Sequence, residues 1–131
     1  MFIDASAIVA ILADEPDGPA LTSRLARNGR LYTSPLALYE AVLGLARSLR
    51  VPVAAAQSEL DTFVTETGAE IIAINPAIGR IAIAAFERYG RGRHPAQLNM
   101  GDCFAYACAR SLGVPLLFKG DDFPKTDIAT A

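Results

Sequence analysis

Asp4 in Met-Phe-Ile-Asp-Ala-Ser-Ala, Glu40 in Ser-Pro-Leu-Ala-Leu-Tyr-Glu, Asp102 in Asn-Met-Gly-Asp-Cys-Phe-Ala and the pair Asp121-Asp122 in Leu-Leu-Phe-Lys-Gly-Asp-Asp-Phe all stand beside apolar residues, where a strand gives way to a helix or loop. Carboxylates gathered in one partly buried place repel each other and lose hydration, so they persist there with a cation or a chemical task. The task these residues suggest is holding a hard divalent metal. Oxygen donors with no His or Cys cluster favour Mg²⁺ or Mn²⁺ over Zn²⁺. Mg²⁺ held through a few carboxylates keeps several waters, one of which can attack a phosphodiester. The reaction class implied is metal-assisted phosphoryl hydrolysis.

Each acid also has a structural reading. Asp4 and Asp102 can cap the helices that follow, Glu40 can pair with Arg47 seven residues along its helix, and Asp121-Asp122 can form a turn. Caps do not require apolar neighbours on both sides, which favours the functional reading of the set as a whole.

The elements that must position these acids alternate along the chain. Phe2-Ile3-Asp4 reads as a short buried strand, after which Ser6 can cap a helix to about Leu12. Asp17 opens a second helix, with a stop near Asn28-Gly29. Leu31-Tyr32-Thr33 is the next strand, and Ser34-Pro35 supplies a cap and a first-turn proline for the helix carrying Glu40 to about Leu49. Val51-Pro52 breaks the chain before an amphipathic helix that ends at Gly68. Glu70 to Ile74 is a strand, and Asn75-Pro76 repeats the cap-plus-proline device for a helix to about Tyr89. A loop from Gly90 to Pro95 precedes a helix that starts at Asn99 or Gly101 and ends at Leu112-Gly113. Val114 to Phe118 is the last strand. Continuous apolar strands alternating with helices indicate an α/β fold: a central, mainly parallel sheet covered on both faces, in three α/β/α layers. Sites in such sheets lie beyond the carboxyl ends of the strands, where Asp4 and Asp121-Asp122 would emerge and the early turns of two helices would bring Glu40 and Asp102.

The 131 residues suit one domain, 1–131, and 52% hydrophobic residues are ample for its core. A net charge of −2 by itself points to no nucleic acid. Acids neutralised by metal would nevertheless leave the remaining surface neutral to basic. Arg88, Arg91, Arg93 and His94 crowd one glycine-containing stretch, and Arg24, Arg27 and Arg30 follow at near-helical spacing. Neither a signal peptide nor a membrane-spanning run is legible, so the expected location is cytoplasmic, with no membrane partner. Cys103 and Cys108, five apart on one helix with Cα atoms ~8 Å apart, lie beyond disulfide reach and read as reduced core residues.

The motifs Asp4-Ala-Ser-Ala, Glu40 after Ser34-Pro35, Gly101-Asp102-Cys103-Phe104-Ala105 and the run from Leu116 to Ile128, in that order and over essentially the whole chain, resemble the PIN-domain ribonucleases. The likeness is greatest to the VapC toxins of type II toxin–antitoxin pairs. The resemblance implies a PIN-like fold and a Mg²⁺-dependent endoribonuclease, Mn²⁺ able to substitute. It also implies a homodimer inhibited by a cognate VapB-type antitoxin. Asp4, Glu40 and Asp102 match the family's first three acids, with Asp4 and Asp102 holding the metal most directly. Many relatives carry the fourth acid in a Thr-x-Asp pattern where this chain has Gly120, so Asp122 is the first choice and Asp121 the neighbour able to replace it. Ser6 matches the small hydroxyl residue after the first acid, supporting a carboxylate or a bound water; a helix cap is its other reading.

Arg91, Arg93 and His94 are the candidate contacts to an RNA backbone, a solvated charge run being the alternative. Tyr32, Tyr39, Tyr89 and Tyr106 can stack on bases, although such spacings more often belong to a core. Two other functions remain open. One is a catalytically silent PIN-like domain that binds RNA or a partner. The other is an aspartyl-phosphate enzyme using Asp4, against which stands Ser6 where such sites usually carry a second acid.

Overall fold

The computed structural model describes residues 1–27 and 29–131. Four strands, β1 (Phe2–Ile3), β2 (Tyr32–Thr33), β3 (Glu70–Ile71) and β4 (Leu116–Leu117), form one sheet in the order β3-β2-β1-β4. Every pairing is parallel. The helices are α1 (Ala5–Leu12), α2 (Gly18–Leu25), α3 (Pro35–Leu49), α4 (Val53–Thr67), α5 (Pro76–Tyr89) and α6 (Met100–Leu112), followed by a 3-10 turn over Phe123–Lys125.

Successive strand side chains point to opposite faces, and the two faces carry separate cores. Phe2 and Leu116 pack with α5 and α6 on one side, and Ile3 and Leu117 pack with α1, α3 and α4 on the other. All four of these strand residues are fully buried. The result is the three-layer α/β/α arrangement expected from continuous apolar strands. Among the described residues no helix is long and apolar enough to cross a membrane. Cys103 and Cys108 are free thiols in the core.

The strands are shorter than the apolar runs suggest. β2 stops where Ser34 caps α3 by accepting from the Ala37 N–H at 3.2 Å, so the β3 ladder ends with the Ile72 N–H donating to Thr33 O at 2.9 Å. β1 likewise turns into α1 at Asp4, whose N–H donates to Leu117 O at 2.9 Å. A strand cannot be paired beyond its partner, whatever its own hydrophobicity.

Two helix ends also differ. Asp4, not Ser6, caps α1: its Oδ2 accepts from the Ser6 N–H at 2.9 Å. α2 ends at Leu25, before the expected stop; Asn28 lies outside the described residues, while Gly29 follows the helix. The chain terminus adds a feature with no apolar signal, since Ala129 and Ala131 bond to both sides of Leu116 and flank β4 at the sheet edge.

Candidate active site

Because all strands run the same way, residues that leave β1 and β4 emerge on one edge of the sheet. Asp4 is the first residue after β1 and is 5% exposed. Its Oδ2 accepts from the Ser6 N–H and, at 2.5 Å, from the Ser6 hydroxyl; the same hydroxyl accepts from the Lys119 N–H at 3.0 Å. Ser6 therefore ties Asp4 to the loop that follows β4. Lys119 extends the tie to the α1–α2 corner through contacts of its ammonium with Glu15 and, at 3.8 Å, Asp17.

Glu40 comes from the second turn of α3, and Asp102 is the third residue of α6. There Asp102 completes a reciprocal cap: the Asn99 side chain accepts from the Asp102 N–H at 2.9 Å, and Asp102 Oδ2 accepts from the Asn99 N–H at 3.0 Å. Capping and clustering are not alternatives for this residue. It does both.

The electrostatics bring the three acids into one field. Burial, which outweighs the bonds from Ser6 and Ala5, raises the Asp4 carboxyl above its usual range. Burial together with the charges of Asp4 and Asp102 pushes Glu40 up to about 7. Burial also leads at Asp102, pushed up to about 6 with help from Asp4 and Asp122, against the Asn99 bond and the pull of Arg91. None of the three acids forms an ion pair among the described residues; in particular Glu40 makes none with Arg47.

The remaining expected residues divide. Asp122 stands at the rim, felt by Asp102, with its side chain half exposed and 3.9 Å from the Lys125 ammonium. Asp121 is not brought to the three acids; it lines a cleft with Asp17, Arg24 and Lys119 beside α2. Arg91 is exposed and close enough to act on Asp102. Arg93 lies over the Phe86 ring, 5.5 Å from its centre. His94 sits in the same loop. It is half-buried, accepts from the Ala96 N–H at 3.0 Å through Nδ1 and meets the Tyr89 ring edge-on, ordering the loop from within. Tyr89 and Tyr106 are core residues, Tyr32 is half-buried and Tyr39 is exposed.

Among the described residues no three metal-ligating side chains converge into a ready-made cage. The donor set still fits Mg²⁺, which prefers oxygen, is commonly held through one or two carboxylates and keeps several waters. Asp4 and Asp102 carry raised carboxyls with no ion pair, and Asp102 Oδ1 accepts no hydrogen bond, among the described residues. A cation would supply the missing compensation.

The model for the PIN domain family matches residues 1–129. A VapC ribonuclease of Rhizobium meliloti is 41% identical over 140 aligned positions, spanning 97% of this chain and 98% of that protein. The chain belongs to the PIN-domain family, among the VapC ribonucleases. Solved structures agree on the fold. The Mycobacterium tuberculosis toxin VapC20, described as cleaving the sarcin–ricin loop, superposes with a TM-score of 0.79 at 16% identity, covering 99% of this chain and 97% of that one. A toxin–antitoxin complex from Klebsiella pneumoniae gives 0.71 at 16% identity, covering 99% and 95%.

Two features of this PIN domain escape sequence reading. Gly101 packs directly against the Glu40 carboxylate, a contact hinted at only by a glycine in the first turn of a helix. Asp127 gathers Arg88, Arg110 and the Tyr106 hydroxyl; Tyr106 and Arg110 share a face of α6 four residues apart, but no spacing links them to Arg88 or Asp127.

Proposed function

We propose that this chain is a Mg²⁺-dependent endoribonuclease, a single domain over residues 1–131 that hydrolyses RNA phosphodiester bonds as the toxin of a type II toxin–antitoxin pair. The observation that carries the reading is the convergence of Asp4, Glu40 and Asp102 from three separate elements with no ion pair to any of them among the described residues. Kinship with proteins named VapC ribonucleases supports the substrate class. Asp4 and Asp102 would hold Mg²⁺, or Mn²⁺ in its place. Such an ion supplies Lewis-acid polarisation and makes water more acidic.

The chain's own groups do the rest. Glu40, beside Asp4 and Asp102, is suited to move a proton to or from the reacting oxygens. Ser6 keeps Asp4 oriented, Asp122 adds negative charge at the rim, and Arg91 meets the phosphate backbone.

Exposed apolar surface supports the protein partners of this reading. Ile83, Phe86 and Met100, respectively 71%, 43% and 65% exposed, line a cleft between α5 and α6 beside Asp102. A second cleft between α3 and α4 carries Tyr39, Leu43, Val53 and Ile71. These surfaces suit the two protein partners of the reading, a VapB-type antitoxin and a second copy of the chain. The existence of a toxin–antitoxin complex with the same fold supports the first. Purified protein freed of partner is expected to cleave structured RNA in Mg²⁺ or Mn²⁺ and to stop in excess chelator. Undiminished cleavage in chelator overturns the metal mechanism.

A further inference from the structure

We propose that Gly101 is a positioning residue for Glu40: its missing side chain leaves the space in which the Glu40 carboxylate rests against the start of α6. The inference builds on the reading of Glu40 as a site acid. A Cβ placed on Gly101 would overlap both carboxylate oxygens and the carboxyl carbon of Glu40. Backbone conformation does not explain the glycine, because Gly101 is helical and absent from the residues with positive φ. A glycine in a helix is less favourable than alanine. Close approach of the carboxylate accounts for it.

Gly90 shows what a structural glycine looks like in the same molecule. There a Cβ would overlap the Phe86 carbonyl and ring, so the fixed helix backbone stands in the way. At Gly101 the obstacle is the far end of a flexible side chain, which can swing aside without disturbing the fold. Gly101→Ala should therefore fold while moving Glu40 away from Asp4 and Asp102. A residue whose replacement firms the helix and weakens the site is distinguishable from one needed only for packing.

The test compares Gly101→Ala in the parent and in a Glu40→Asp background, whose carboxylate is one methylene shorter and clears the added methyl. Without metal, alanine is expected to raise the melting temperature more in the Glu40→Asp protein than in the parent, where it must also displace Glu40. With Mg²⁺, Gly101→Ala in the parent is expected to shrink the metal-induced rise in melting temperature and to lower RNA cleavage about tenfold or more, on the scale of one misplaced catalytic group. In the Glu40→Asp background the same substitution should cost little further. Equal melting shifts in both backgrounds, or an alanine variant with parental Mg²⁺ response and cleavage, overturns the proposal. A parent that neither responds to Mg²⁺ nor cleaves RNA overturns the functional reading instead, and the metal-free comparison still decides whether Glu40 rests on Gly101.

Discussion

The lone Asp127 and the trio Asp4, Glu40 and Asp102 each draw together distant parts of the chain, and they are balanced in opposite ways. Asp127 accepts from the Tyr106 hydroxyl at 2.7 Å, meets Arg88 at 3.2 Å and lies 3.7 Å from Arg110. These partners, Tyr106 foremost, hold its carboxyl below the usual range. Asp4, Glu40 and Asp102 form no ion pair among the described residues, and all three are raised. A compensated acid fastens the C-terminal segment to α5 and α6. An uncompensated group is a strained arrangement that binding can relieve, and that difference sets the proposed site apart from the Asp127 cluster.

Neutralising one acid on each side is the sharpest way to break this contrast. Asp102→Asn is expected to reduce RNA cleavage by roughly 10²–10⁴-fold, the usual weight of a positioned acid–base or ligand group. Its metal-free melting temperature should equal or exceed the parent's, because a repelling charge is gone while an acceptor for the Asn99 N–H remains. Asp127→Ala should do the reverse. Cleavage per folded molecule stays near the parent's, whereas the lost Tyr106 bond costs about 1–2 kcal/mol, read by urea unfolding, with little added by arginines more than half exposed. If Asp102→Asn melts clearly lower and Asp127→Ala abolishes cleavage, the assignment of the two is wrong.

The pH dependence of metal-free stability sharpens the comparison at smaller amplitude. Glu40 is raised from 4.5 to about 7 and Asp102 from 3.8 to about 6, so in this interval the folded protein binds more protons than the unfolded one. Stability from this set is therefore present at low pH and declines as pH rises from about 4 to 7. Asp127, lowered from 3.8, contributes stability above that value and loses it as pH falls below. Melting temperature measured in chelator across this range should fall toward neutrality in the parent and flatten in Glu40→Gln. A profile that climbs from pH 5 to 7 in the parent would contradict the uncompensated pocket.

The smallest expected effect separates the two roles of Asp102. Asp102→Ala loses the reach-back to Asn99 that asparagine can keep, and so should be less stable than Asp102→Asn by ~1 kcal/mol in chelator. Equal stability of the two variants would mean that the cap contributes nothing.

Much of this was legible in the chain itself. Ser34-Pro35 and Asn75-Pro76 announced α3 and α5 because cap and proline act within one turn, and the structure places both caps there. The continuous apolar pairs at Phe2-Ile3 and Leu116-Leu117 implied a sheet covered on both faces, since each face of a strand needs its own core. Acidic residues at strand ends were visible as candidates for the same reason: parallel order sends them to one edge.

Tertiary structure decided what depends on partners rather than on local pattern. Strand length was set by where the neighbouring strand turned into a helix, and the cap of α1 went to Asp4 because Ser6 had two donors to offer it. Of the paired acids after β4, the backbone turned Asp122 toward Asp102 and Asp121 toward α2, a choice between adjacent residues that no spacing encodes. The contact of Glu40 with Gly101 joins positions 61 residues apart, and the Asp127 cluster likewise spans two helices and the C-terminal segment. Short-range sterics and hydrogen bonding specify elements one at a time; charge compensation and close approach exist only once the elements meet.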